Sequence, residues 1–177
     1  MRDLYNKSGF SAAQAARFIY LNKTCFNGIF RVNREGQFNV PYGWKEPPAI
    51  PDAAALRAVS HCLQLAEIAA EPFENSLRKV GLGDFVYLDP PYPALNGTSY
   101  FTHYTRDRFS NDDQDRLSKL VGSLHRRGAL FLMTNADTPL VRELYRDFDQ
   151  LPTPVVRFIT CKSKRHVVSE LIIRNFQ

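Results

Sequence analysis

The stretch "GDFVYLDPPYPAL", residues 83–95, decides how the rest of the chain is read. Its first part, "DFVYLD" (84–89), is a short apolar run with turn signals at both ends, which predicts a buried strand. Two prolines then stop that strand, because proline lacks an N–H and fixes φ. An aspartate at the end of an apolar strand is costly to bury without a partner. Asp89, Pro90, Pro91 and Tyr92 therefore need a reason to stand together.

Chemistry offers one. The proline carbonyls remain as acceptors held in fixed directions, Asp89 adds a carboxylate and Tyr92 adds a flat aromatic face. This set suits a planar group bearing an NH2, such as the exocyclic amine of a nucleobase. Asp89 and the Pro90 carbonyl can each accept one N–H bond while Tyr92 stacks on the ring. Two acceptors on an aromatic amine draw its nitrogen toward tetrahedral geometry and free its lone pair. Attack on a sulfonium methyl group then becomes feasible through positioning and electrostatics. A base must leave its duplex to enter such a site. The plainer alternative is a proline-rich turn with an aspartate cap and a packing tyrosine.

Outward from this stretch, helices and strands alternate. "SAAQAARFIYLNKT" (11–24) has a serine cap and helical apolar spacing. Residues 25–48 mix Asn, Gly, aromatics and Arg, and predict a loop-rich insert or small β-hairpin. Residues 51–67 form a helix with Asp52 as cap. Residues 111–128 form another, capped at Ser110 or Asn111 and stopped at Gly128. "ALFLMTNAD" (129–137) is a second buried strand, 138–148 a helix, and "VVRFITCKS" and "HVVSELIIRNF" two strands joined by a basic turn. The order implies an α/β sheet, mostly parallel, with an antiparallel final pair. Ligands in such sheets sit beyond the carboxyl ends of the strands, where Asp89–Tyr92 and Thr134–Asp137 both fall.

The charge distribution agrees with a polyanionic partner. The net charge is +5, and residues 1–48 hold seven Lys/Arg against three acids while 153–177 hold five against one. A solvated basic surface is the alternative. No apolar run approaches the ~20 residues of a membrane span, and the start has no secretory h-region. Cys25, Cys62 and Cys161 are odd in number and widely spaced, which fits a reducing cytoplasm rather than a disulfide framework. Neither the cysteines nor His61, His103, His125 and His166 have metal-ligand spacing.

Together these motifs resemble the Dam-type, alpha-class (D12) DNA adenine-N6 methyltransferases. "DFVYLDPPY" is similar to their catalytic motif, "YLNKTCFNGIFRVNREGQFNVPYG" (20–43) to their target-recognition segment, "FTHYTRDRFSNDDQDRL" (101–117) to the loop and helix after the motif, and "RFITCKSKRHVVSELIIRN" (157–175) to their closing hairpin. The matches run through nearly the whole chain in the family's order. The resemblance implies the C-terminal part of a Rossmann-like S-adenosylmethionine-dependent methyltransferase sheet with a loop-rich target-recognition insert. It implies a helical lead-in and recognition segment over 1–50 and a catalytic α/β part over 51–177. Asp89, Pro90, Pro91 and Tyr92 would be the catalytic group, acting on a flipped adenine of double-stranded DNA, with GATC as the site. Asn27 and Arg31 fall where the family contacts DNA, and an arginine reading guanine is what groove chemistry favours. Their alternatives are a turn for Asn27 and a phosphate or surface charge for Arg31. Phe73, with Asp89, would border the cofactor; a core phenylalanine is the other reading, and Pro72 stands where the family often has a carboxylate.

Lys162, Lys164 and Arg165 in the basic turn are expected at phosphates. Phe101, Tyr104 and Phe109 either wall the base pocket or simply pack. Asn135 reads better as a cap for the following helix than as a pocket residue. The strand and glycine-rich turn that hold the methionine end of the cofactor in this family find no match. The expectation is therefore an N-terminally truncated enzyme with weak cofactor binding and exposed apolar sheet faces, which a missing N-terminal half or a complementary chain would complete. Two other readings stay open: a catalytically silent DNA-binding remnant, and methylation of RNA or of a protein amide. Asp89 in place of Asn, and a recognition segment ahead of the motif, favour DNA.

Overall fold

The structure is a computed structural model and describes residues 1–44, 47–93, 109–157 and 166–177. The described residues divide into two compact units, one of Met1–Ala70 and one of those from Glu71 onward.

In the first unit, helix α1 (Arg2–Lys7) precedes α2 (Ala12–Thr24). Ser11 caps α2 by accepting the Gln14 N–H, as the serine predicts. The chain then turns through Phe26–Gly28, where Asn27 (φ 54°) and Gly28 (φ 65°) are both left-handed. Bridges Cys25↔Tyr42 and Val32↔Phe38 fold the segment back on itself. Asn6 seals it by bonding both backbone groups of Phe38, at 3.0 and 2.8 Å. A small core of Leu21, Cys25, Phe38 and Val40 lies beneath, with Tyr5, Tyr20 and Phe30 against it. Gly43 is forced by close approach: a Cβ there would stand 2.6 Å from the Cys25 carbonyl oxygen. Helix α3 (Ala53–Leu63), capped by Asp52, belongs to this unit and buries none of its residues.

The second unit begins with α4 (Phe73–Ser76). Among the described residues it holds four strands, β1 (Phe85–Leu88), β2 (Leu130–Ala136), β3 (Asp149–Arg157) and β4 (His166–Arg174), in the order β1-β2-β4-β3. Helix α5 (Asn111–Arg126) joins β1 to β2, and α6 (Pro139–Leu144) joins β2 to β3. Leu117, Val121 and Leu124 of α5 pack with Phe131, Met133, Leu171 and Ile173 of the sheet and with Val141 and Tyr145. α5 opens on a capping box between Ser110 and Asp113. It closes at Gly128, whose φ of 79° suits glycine.

Three expectations change. β1 is not buried: among the described strands it lies at the sheet edge, and Phe85 and Tyr87 are 58% and 59% exposed. Of the β1 residues, Val86 and Leu88 pack on the core, so the apolar side chains of Phe85 and Tyr87 stand open. The sheet is also less parallel than expected. β1 and β2 are parallel, but β4 pairs antiparallel with both β2 and β3 because the final hairpin inserts its second strand against β2. α6 is short, ending where Tyr145 leaves the helical region.

Candidate active site

Parallel pairing of β1 with β2 brings their carboxyl ends side by side, Leu88 opposite Met133. The next residue on each strand supplies the first contact: the Thr134 hydroxyl donates to the Asp89 carboxylate at 2.9 Å. The Tyr87 hydroxyl lies 3.4 Å from the same threonine oxygen. Asp89 is thereby aimed while remaining exposed.

Tyr92 is fixed from a third strand. Its hydroxyl donates to the Glu170 carboxylate of β4 at 3.2 Å. Burial raises the phenol above its ordinary pKa. The Thr134 hydroxyl works the other way, while the charges of Glu170 and Asp89 raise it further. The phenol is therefore neutral at physiological pH. The Pro91 carbonyl accepts from the Gln114 side chain at 3.0 Å.

Asp89, Pro90, Pro91 and Tyr87 line a pocket of about 260 Å³ together with Phe73 and Phe109. The Phe73 ring faces Phe109 at 6.0 Å and carries the Arg116 guanidinium 5.5 Å above its centroid. Arg116 is held there by Glu74 and Asp113 at 3.1 and 2.9 Å. Asp113 accepts from the Ser110 backbone and hydroxyl, which lower its pKa. Phe73, Asp89, Pro90 and Pro91 thus border one slot, with Tyr92 next in the chain. The slot is just under the ~300–1,000 Å³ that takes a drug-sized ligand. It has an aromatic wall and a carboxylate, and its size suits one planar ring system.

Asn135 does not cap α6. Thr138 does, accepting from the Val141 N–H at 3.2 Å. Asn135 instead points inward, where its Nδ2 donates to Gln114 Oε1 at 3.2 Å. At the end of the same strand, Arg142 grips Asp137 through two bonds of 2.6 and 2.9 Å, and Ser169 adds one of 2.6 Å. Arg142 and Ser169, in that order, depress the Asp137 pKa.

In the first unit, Arg31 is exposed, with its Nε donating to Asn39 Oδ1 at 2.8 Å and its Nη2 to the Asn39 carbonyl at 3.5 Å. Asn27 is exposed in the left-handed turn, whose Gly28 carbonyl accepts from Asn22. Lys162, Lys164 and Arg165, and with them Phe101 and Tyr104, lie outside the described residues. Asn39, Glu170 and Gln114 were absent from the sequence-based site. Asn39 and Glu170 carry no local signal. Gln114 does, since it interrupts the apolar stripe it shares with Leu117, Val121 and Leu124.

Comparison with known proteins converges on one chemistry. A family model described as D12 class N6 adenine-specific DNA methyltransferase matches residues 1–159. The chain is 40% identical to the type II methyltransferase M.MjaIII of Methanocaldococcus jannaschii, over 99% of this chain and 63% of that protein. It is 35% identical to the DNA N-6-adenine-methyltransferase of Escherichia phage P1, over 98% of this chain and 23% of that one. It is also 35% identical to the DNA adenine methylase of Escherichia coli K12, over 82% of this chain and 52% of that one. The chain therefore spans 63% or less of the length of these relatives.

Proposed function

Because the chain belongs to the D12 class of N6 adenine-specific DNA methyltransferases, we propose that it carries the amine-holding part of a site that methylates adenine N6 in duplex DNA. The observation that carries this reading is the mounting of Asp89 by Thr134 in a pocket that Pro90 and Pro91 also line. The Asp89 carboxylate and the Pro90 carbonyl take the two amine hydrogens of an extruded adenine. Tyr92, neutral and tied to Glu170, stacks on its ring. Holding both hydrogens in place localises the nitrogen lone pair and orients it without reorganisation during the reaction. S-adenosylmethionine, when bound, supplies an electrophilic methyl group. Phe73 and Phe109 form the wall against its planar ring, and Asp89 borders both halves of the site.

The arrangement around this site is that of the C-terminal part of a Rossmann-like sheet, with residues 1–50 as lead-in and recognition segment and 51–177 as catalytic part. Arg31 reads a guanine edge and Asn27 approaches the target strand. Lys162, Lys164 and Arg165 neutralise phosphates, and GATC is the sequence read. The test is transfer of labelled methyl from S-adenosylmethionine to duplexes with and without GATC. Asp89→Ala is expected to lower the rate at least about 100-fold, the scale of losing one preorganised electrostatic partner. Equal transfer by the wild type and Asp89→Ala would sink the proposal.

The open face of β1 and the one-ring size of the slot favour a second reading, a DNA-binding remnant without catalysis. Binding of the duplex with no methyl transfer under saturating cofactor is its signature.

A further inference from the structure

Gln114 and Asn135 are two uncharged amides in places where the pattern asks for apolar residues. Gln114 occupies the core stripe of α5 and is 1% exposed, and Asn135 occupies the inward alternation of β2, after Phe131 and Met133, and is 0% exposed. Burying an amide is costly unless its groups are paired. Here they are paired in series. The Ala136 N–H donates to Asn135 Oδ1 at 2.8 Å, Asn135 Nδ2 to Gln114 Oε1 at 3.2 Å, and Gln114 Nε2 to the Pro91 carbonyl at 3.0 Å. Neither residue caps a helix, since Ser110 and Thr138 do that for α5 and α6. The series ends on the Asp89–Tyr92 turn.

The sequence of that turn explains why its Pro91 carbonyl needs holding. A residue before proline is confined to extended conformations. Asp89, Pro90 and Tyr92 all precede prolines, and the prolines fix their own φ. One backbone torsion between the Asp89 carboxylate and the Tyr92 ring is left unconfined, ψ of Pro91. It rotates the Pro91–Tyr92 peptide and so sets the angle between the two amine acceptors and the stacking face. Gln114 grips the oxygen of that peptide, and Asn135 fixes which way the Gln114 amide faces.

We propose that Gln114 and Asn135 are positioning residues of the methyl-transfer site, a buried amide relay that locks the one soft torsion of the Asp-Pro-Pro-Tyr turn. This role in catalysis rests on the function proposed above; the locking of the turn does not. Misplacement of reacting groups by about 1 Å can cost 10²-fold in rate.

The experiment uses the full chain and two readouts. Gln114→Met keeps the volume and removes both ends of the amide. Leu124→Ala is the comparison, a core truncation on the same helix face about 15 Å along α5 from Gln114. ¹⁵N relaxation dispersion is expected to show new microsecond-to-millisecond exchange at Tyr92 in Gln114→Met, with Phe131 and Met133 flat, and no exchange at Tyr92 in Leu124→Ala. In methyl transfer, Gln114→Met is expected to lose about 10-fold or more in kcat with the DNA KM within about twofold. Leu124→Ala keeps kcat although it lowers stability. A flat Tyr92 profile in Gln114→Met, or exchange spread equally through the core, overturns the relay. If the wild type transfers no methyl, the proposed function fails and the dispersion result still decides the relay. Should Gln114→Met not fold, Asn135→Ser leaves Gln114 in place, frees the far end of the relay, and is read in the same way at smaller amplitude.

Discussion

Asp89 and Arg31 are held in different ways, and the difference matches the parts proposed for them. Asp89 sits at the end of a strand in the larger unit, tied to Thr134, above a core that includes Phe131, Met133 and Leu171. The turn it begins is fastened from below by amides that water does not reach. Arg31 sits in the smaller unit, on a hairpin over a core of four buried residues, exposed to solvent with its partner Asn39 half-buried. Bond-making needs groups held to fractions of an ångström, which buried and mutually constrained side chains provide. Reading a base edge needs a side chain of the right donor geometry that can still settle onto its target. Arg31, held along one edge of its guanidinium, meets that need.

The comparison breaks most visibly at the cores. Phe131→Ala removes a fully buried ring packed edge-on to Phe148 and is expected to cost about 3–5 kcal/mol in urea unfolding. Leu21→Ala in the small core should cost near the lower end of the ~2–5 kcal/mol range for such truncations, because a cluster of four relaxes around the gap. A larger loss from Leu21→Ala than from Phe131→Ala would mean that the recognition unit is the more tightly built of the two.

The next test separates the two jobs. Arg31→Lys is expected to cost about 1–3 kcal/mol of discrimination between matched and mismatched duplexes in competition binding, because lysine lacks the bidentate fork. Asn39→Ala, which removes the side-chain bond to Nε and leaves the backbone bond to Nη2, should cost about 0.5–1.5 kcal/mol, the worth of one hydrogen bond. Uniform weakening on all duplexes would make Arg31 a phosphate contact.

The smallest effect concerns pH. Arg142 and Ser169 hold the Asp137 pKa below its ordinary value of about 3.9. Its contribution to stability is fully present above that value and is lost as pH falls through the lower, folded one. Asp137→Asn should therefore flatten acid unfolding below about pH 4, and the chains should differ by a constant amount above about pH 5. An unchanged acid slope would show that the pair does not hold in solution.

What could be read from the residues alone was what is decided locally. Ser11, Asp52 and Ser110 announce helix starts through bonds made within three residues, and all three do so. The Asp-Pro-Pro-Tyr turn announces its acceptors in the same way. Burial of β1 was misjudged because it depends on which strand lies alongside, and no local pattern carries that. β3 starts at Asp149, ahead of the strand read from Val155, and includes Pro152 and Pro154, residues that disfavour a strand. They are tolerated because β3 is the other edge of the sheet, where a missing N–H faces outward. Thr134 and Glu170 lie 45 and 78 residues from their partners Asp89 and Tyr92, beyond any motif. Gln114 and Asn135 were visible as polar residues breaking apolar periodicity, a signal easily discounted in a helix with an acidic first turn.

Those prolines make the two margins of the sheet unequal. Among the described strands, the β3 margin lacks two donors and cannot template a regular ladder, whereas Phe85–Leu88 at the β1 margin has no proline and keeps every N–H. Another strand can extend this sheet in one direction only. The charged gatekeepers on that side are Asp84 and Asp89, one at each end of the strand. The Asp89 charge therefore bears on self-association as well as on the methyl transfer proposed for it. Replacing it with alanine strips a charge from the one margin where chains can stack, so concentration-dependent self-association is worth monitoring in any preparation of that variant.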